Sequence, residues 1–106
     1  MGWFILAIAV FTEICWALSL KWAATLGTWQ ASTVPIALSF LNMALLAFAM
    51  REISVGTAYG VWTGLGAVGV IIGGIVLFGE KIGTVQIGFM ALIVIGVVGT
   101  KLSAPA

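Results

Sequence analysis

Apolar residues run along this chain in four long blocks, and polar punctuation divides them at Lys21, at Arg51-Glu52 and at Gly79-Glu80-Lys81. A helix rises about 1.5 Å per residue, so about 20 consecutive apolar residues cross the hydrocarbon of a bilayer. The blocks predict four transmembrane helices at 3–20, 34–50, 56–78 and 85–101, joined by short connections, in a single domain covering 1–106. The expected fold is therefore all-α and integral to a membrane, which makes it a multi-pass protein. The second block has the least distinct start, because Ser32-Thr33 and Pro35 interrupt it. Proline is tolerated in the first turn of a helix, so the block is retained as a span.

Composition supports the same solvent. Of 106 residues, 63% are apolar and 7% charged, with mean hydropathy +1.30, well above an ordinary soluble domain. A net charge of +1 offers no basic field for nucleic acid. There is no histidine, and the single cysteine, Cys15, lies within an apolar run, so neither a disulfide framework nor an ordinary metal site is expected. No cofactor motif is present. The first block lacks a basic leader and carries Glu13 at its centre, so it reads as a retained helix and not a signal peptide. Trp3, Trp22 and Trp29 fall near span ends, where an indole sits between apolar layer and headgroups.

The charges change the picture of orientation. Arg51 and Lys101 fall on one side of the predicted bundle, Lys21 and Lys81 on the other. This balance leaves the positive-inside rule without a preference, and both topologies are open.

Glu13 is the residue that points to chemistry. Counted from Trp3 it lies about 15 Å into its helix, near the middle of a core roughly 30 Å thick. An ionisable group at that depth costs about 2.5–3.5 kcal/mol on insertion scales, and such groups mark ion and substrate paths. The structural alternative is a protonated acid that hydrogen-bonds a neighbouring helix. No basic residue lies at matching depth, so the expected partner is a proton or a cationic substrate. Burial disfavours the charged form of a carboxyl group and a nearby cation favours it. A proton and a cation that exclude each other at one acid are the physical basis of antiport.

Residues three and four away share a helix face, so Glu13 is flanked by Ala9, Val10, Trp16 and Ala17. The Trp16 indole suits a hydrogen bond to the carboxylate or a face for a cation, though a packing or lipid-facing role is also open. In the third span Gly56, Tyr59, Trp62, Thr63 and Gly66 fall on one stripe, a candidate aromatic wall, while Gly56, Gly60 and Gly64 have the spacing of a packing seam. Gly64, Gly66 and Gly69, followed by Gly73 and Gly74, mark either a bend or close packing. Ser39 and Asn42 lie at interior depth in the second span as candidate hydrogen-bonding partners. The fourth span offers mainly apolar and small surface, including Gly88, Gly96 and Gly99. Gly96 and Gly99 suit an oligomer contact.

Taken together, Glu13, Trp16, Lys21 closing the first span, and the block Gly56-Thr57-Ala58-Tyr59-Gly60-Val61-Trp62-Thr63-Gly64-Leu65-Gly66 resemble the small multidrug resistance family, in its guanidinium-exporter subtype, from end to end. The resemblance implies an antiparallel, dual-topology homodimer in a bacterial inner membrane. Two copies of Glu13 would share one site that alternates between protons and substrate. It also implies that Trp16, Tyr59 and Trp62 surround the acid. Three positions depart from the subtype: Val10 replaces a usual glycine, Asn42 a usual serine and Ser54 a usual proline.

The expected function is proton-coupled antiport that exports guanidinium or related small guanidinyl cations. The alternative within transporters is export of hydrophobic quaternary ammonium cations, which Trp16 disfavours by occupying space. A different class is a structural or regulatory membrane subunit in which Glu13 only fixes helix pairing. An enzyme is not expected, because a single mid-depth acid lacks a partner for acid–base work.

Overall fold

In the computed structural model, which describes residues 1–104, the four blocks form α1 (Gly2–Leu26), α2 (Thr33–Ala49), α3 (Val55–Phe78) and α4 (Thr84–Ser103). Helices α1, α3 and α4 are long and apolar enough to cross a membrane, and α2 is a shorter apolar helix. At 17 residues, α2 spans about 26 Å, and a bilayer accommodates so short a helix by local thinning. Pro35 falls in its first turn.

The first helix is longer than its apolar block. It continues past Lys21 through Trp22, Ala23, Ala24 and Thr25 to Leu26, so the helix extends beyond the span expected at 3–20. Lysine and alanine are good helix formers, and one charge does not stop a helix that has reached the interface. The stop is Gly27, whose φ of 69° no β-carbon favours and whose N–H donates to the Ala23 carbonyl at 3.0 Å. Gly79, at φ 65°, ends α3 in the same way.

Helix α1 packs on both α2 and α3, α2 touches α3 over a short stretch, and α4 leans on α3. Leu6, Ala49, Ile53, Ala58 and Val61 form the buried cluster, with Trp3, Leu46, Met50 and Trp62 around it. At that end Gly2 lies against the Glu52 side chain, the N-terminal amine is 3.9 Å from Glu52 Oε2, and Lys101 lies 5.0 Å from the Trp3 ring centre. At the opposite end Lys21 pairs with Glu80 and lies 5.6 Å from the Phe78 ring centre. Charged groups thus gather at the two ends of the helices, and the middle of the molecule holds Glu13.

The Cα envelope measures 46 × 35 × 16 Å. Its short dimension is close to that of two helices packed with their axes about 8–10 Å apart, so the four helices form a flattened bundle. Large apolar side chains such as Phe4, Phe11, Phe40, Phe89 and Ile95 point outward, the arrangement expected where lipid is the solvent.

Candidate functional site

Glu13 lies about 17 Å from one end of α1 and about 20 Å from the other. It faces α3 where that helix has no side chains to hold it away. A β-carbon at Gly66 would lie 2.8 Å from Glu13 Cγ. One at Gly69 would overlap Ile14, and one at Gly73 would lie 2.6 Å from Leu18 Cδ1. Positions 66, 69 and 73 recur at helical spacing, so they form a strip along which α1 side chains seat directly on the α3 backbone. In this structure Gly66 and Gly69 are packing positions on an unbroken α3.

Asn42 supplies the hydrogen bond to the acid. It is 4% exposed, and its Nδ2 donates to Glu13 Oε1 at 3.1 Å. Its Oδ1 accepts from Trp62 Nε1 at 3.4 Å. The Trp62 ring in turn stacks on Tyr59, with centroids 5.5 Å apart and planes tilted by 45°. A connected series therefore runs Tyr59, Trp62, Asn42, Glu13 across α3, α2 and α1. Among the described residues no buried side-chain nitrogen or oxygen lacks a partner. Thr12, beside the acid in sequence, turns its hydroxyl onto the Ile8 carbonyl of its own helix at 2.9 Å.

Other expected neighbours are arranged differently. Trp16 is half-buried and lines an open groove of about 650 Å³ between α1 and α2, together with Leu20, Ser32, Pro35, Ile36 and Ser39. Its indole makes no hydrogen bond to Glu13 among the described residues. The Ser39 hydroxyl donates to the Ile36 carbonyl at 2.7 Å, so it reaches the groove and not the acid. The α3 stripe covers an arc of about 120°, since a helix turns about 100° per residue, and different parts of that arc meet different surroundings. Trp62 and Gly66 face α1 and α2, while Tyr59 and Thr63 are exposed. Tyr59 rejoins the site only by stacking.

The spacing of Gly56, Gly60 and Gly64 likewise gives no continuous seam. Gly56 and Gly60 have open space at the β-carbon position, and Gly64 alone of the three meets α4, through Val97 and Ile93. Gly96 and Gly99 also open onto space. Val10 lines an apolar groove of about 290 Å³ with Trp3, Val61, Leu65 and Val97. Sequence reasoning did not single out the 66–69–73 strip as the surface of contact with α1, although its helical spacing carried the signal.

The chemistry available is that of one carboxylate, oriented by a neutral amide, with aromatic surfaces near and, among the described residues, no basic side chain paired with it. Helices α2 and α3 carry no charged side chain at all. These features define a multi-pass helical membrane protein with a polar series centred on one mid-helix acid. The family model for Small Multidrug Resistance protein matches residues 1–93, and the chain belongs to that family. A protein of Escherichia coli strain K12 named Guanidinium exporter is 47% identical over 103 residues, covering 97% of this chain and 98% of that protein. Guanidinium exporters of Salmonella typhimurium, strain LT2, and Citrobacter freundii are each 44% identical, covering 98% and 97% of this chain and 99% and 98% of their own lengths.

Proposed function

We propose that this protein exports guanidinium or a related small guanidinyl cation in exchange for protons, and that both compete for Glu13. The observation that carries the reading is the placement of a mid-helix carboxylate between a neutral amide donor and a glycine, with no basic side chain on the helices facing it. A cation beside such an acid stabilises its charged form. The relatives' names support this class of cargo, and a guanidinium ion suits a carboxylate because its planar N–H groups donate charge-assisted bonds. Trp62 and Asn42 hold the acid, Tyr59 extends the aromatic surface, and Trp16 and Ser39 line the approach between α1 and α2.

The reading extends to an antiparallel homodimer in a bacterial inner membrane: basic residues are balanced between the two ends, Arg51 and Lys101 against Lys21 and Lys81, and the named relatives are bacterial proteins. Four helices are few to enclose a path, whereas two inverted copies would supply the pseudo-two-fold arrangement that other transporters hold within a single chain. Two Glu13 carboxylates would then share one site, and the outward glycines of α4, Gly96 and Gly99, would lie in contact between copies.

In liposomes containing the purified protein, an imposed proton gradient should drive guanidinium against its own gradient. Glu13→Gln, which keeps shape and loses the charge, should reduce that uptake to the level of protein-free vesicles. Undiminished gradient-driven uptake by Glu13→Gln would overturn the proposal.

A further inference from the structure

We infer that the groove between α1, α3 and α4 binds an anionic phospholipid, with an acyl chain against α3 and the phosphate on Lys101. Two neighbouring hollows share Trp3 and Lys101. The first is the apolar groove of about 290 Å³, whose walls include Ala7 and Val10 of α1, Val61 and Leu65 of α3, and Val98 of α4. Along α1 it runs from Trp3 to Val10, about 10 Å of helix, so it begins at the end of the bundle and descends toward the middle. The second, of about 340 Å³, lies at that end and has Glu52, Ser54 and Thr57 in its wall.

This order, apolar below and polar above, is that of a lipid along the membrane normal. Lys101 lies in the last turn of α4 and Trp3 in the first turn of α1, where basic and aromatic side chains meet headgroups. The Lys101 ammonium lies 5.0 Å from the Trp3 ring centre and, among the described residues, pairs with no carboxylate. Glu52, the acid of the same hollow, is 3.9 Å from the N-terminal amine. Thr57 Oγ1 accepts from Ser54 Oγ at 2.8 Å, which leaves the Thr57 proton to donate to an oxygen in the hollow. The side chains at this end, Arg51 and Lys101 against Glu52, sum to one positive charge, and basic pockets between transmembrane helices hold anionic headgroups.

The groove of about 550 Å³ at the opposite end is lined by Cys15, Leu18, Trp22, Val34 and Phe78 with no basic side chain, and Lys21 beside Phe78 is taken by Glu80. It offers room for a chain but no partner for a phosphate. At about 100° per residue, Val97, Val98, Lys101 and Leu102 centre on the side of α4 opposite Gly96 and Gly99. A lipid held there leaves those glycines free for a contact between copies.

The test is retention of phosphatidylglycerol by the delipidated, detergent-solubilised protein, counted by native mass spectrometry as lipid is added. The unsubstituted protein should retain it in preference to diacylglycerol, which has the chains and no phosphate. Lys101→Gln should weaken retention about fivefold, the usual contribution of one basic side chain to an anionic headgroup. Ala7→Phe, which fills the groove and leaves the charge, should weaken it as well. Lys81→Gln, which removes the same charge at the opposite end, should leave it within about twofold. Unchanged retention in Lys101→Gln or in Ala7→Phe overturns the inference, and the second variant decides alone if the first loses its helical circular dichroism. Equal weakening in Lys81→Gln, or equal retention of diacylglycerol, overturns it too.

Discussion

Helices α3 and α4 are both apolar and glycine-rich, yet they use glycine in opposite ways. On α3, Gly66, Gly69 and Gly73 face α1 so closely that a β-carbon at any of them would meet a side chain of that helix. On α4, Gly88, Gly96 and Gly99 face open space, and the helix has no buried residue. The same residue type thus admits the carboxylate of Glu13 on one helix and leaves a smooth outer surface on the other. The inner three helices hold the polar series, while α4 packs mainly on α3 and leaves its glycines uncovered.

Substitutions at the two sets of glycines should separate these roles. The largest effect is expected at Gly66, because the methyl of Gly66→Ala would press on Glu13 Cγ, an atom held by its own backbone. Overpacking of this kind typically costs about 1–3 kcal/mol, and guanidinium binding measured by isothermal titration should weaken about tenfold. Gly96→Ala should leave that affinity within about twofold, since nothing in the protomer occupies the space beside it. Equal losses at the two positions would remove the distinction between the helices.

A smaller and different effect is expected from Gly96→Leu. If α4 forms the contact between copies, a bulky side chain there should shift the dimer toward monomer in dilution experiments followed by cross-linking. The pH midpoint of binding by the remaining dimer should stay where it is. A changed midpoint with unchanged dimerisation would place α4 in the site and not at its edge.

The smallest effect belongs to the helix ends. The Lys21–Glu80 pair is about half exposed on both sides, and such pairs contribute between nothing and about 1 kcal/mol, less in salt. Lys21→Ala should lower the thermal midpoint by a few degrees at most, with the difference shrinking as ionic strength rises. Loss of guanidinium binding in this variant would show that the ends and the middle of α1 are not independent.

Much of this division was legible in the chain. The four blocks marked the helices because each is bounded by charge or glycine, and Glu13 stood out because depth alone makes an acid costly. The end of the helix α1 was not legible in the hydropathy, because hydropathy falls at Lys21 while helix propensity does not, and the stop is set by the backbone of Gly27. Asn42 was recognisable as a polar group at interior depth, but its two simultaneous bonds depend on how α2 sits between α1 and α3. The stripe through Tyr59 and Trp62 was visible as a spacing, yet a spacing does not say which side meets a neighbour. Thr63 and Trp62, adjacent in sequence, point to different surroundings for that reason. The outward glycines of α4 had the same appearance in sequence as the inward ones of α3, and only packing distinguishes them.

The central claim, that a cation and a proton displace each other at Glu13, is tested most directly by adding guanidinium to the purified protein in weakly buffered detergent solution and following pH. Protonated acid must give up its proton when the cation enters, so the solution should acidify in proportion to the cation bound. Glu13→Gln should give no such response. Saturable guanidinium binding with no proton release at any starting pH would contradict the account.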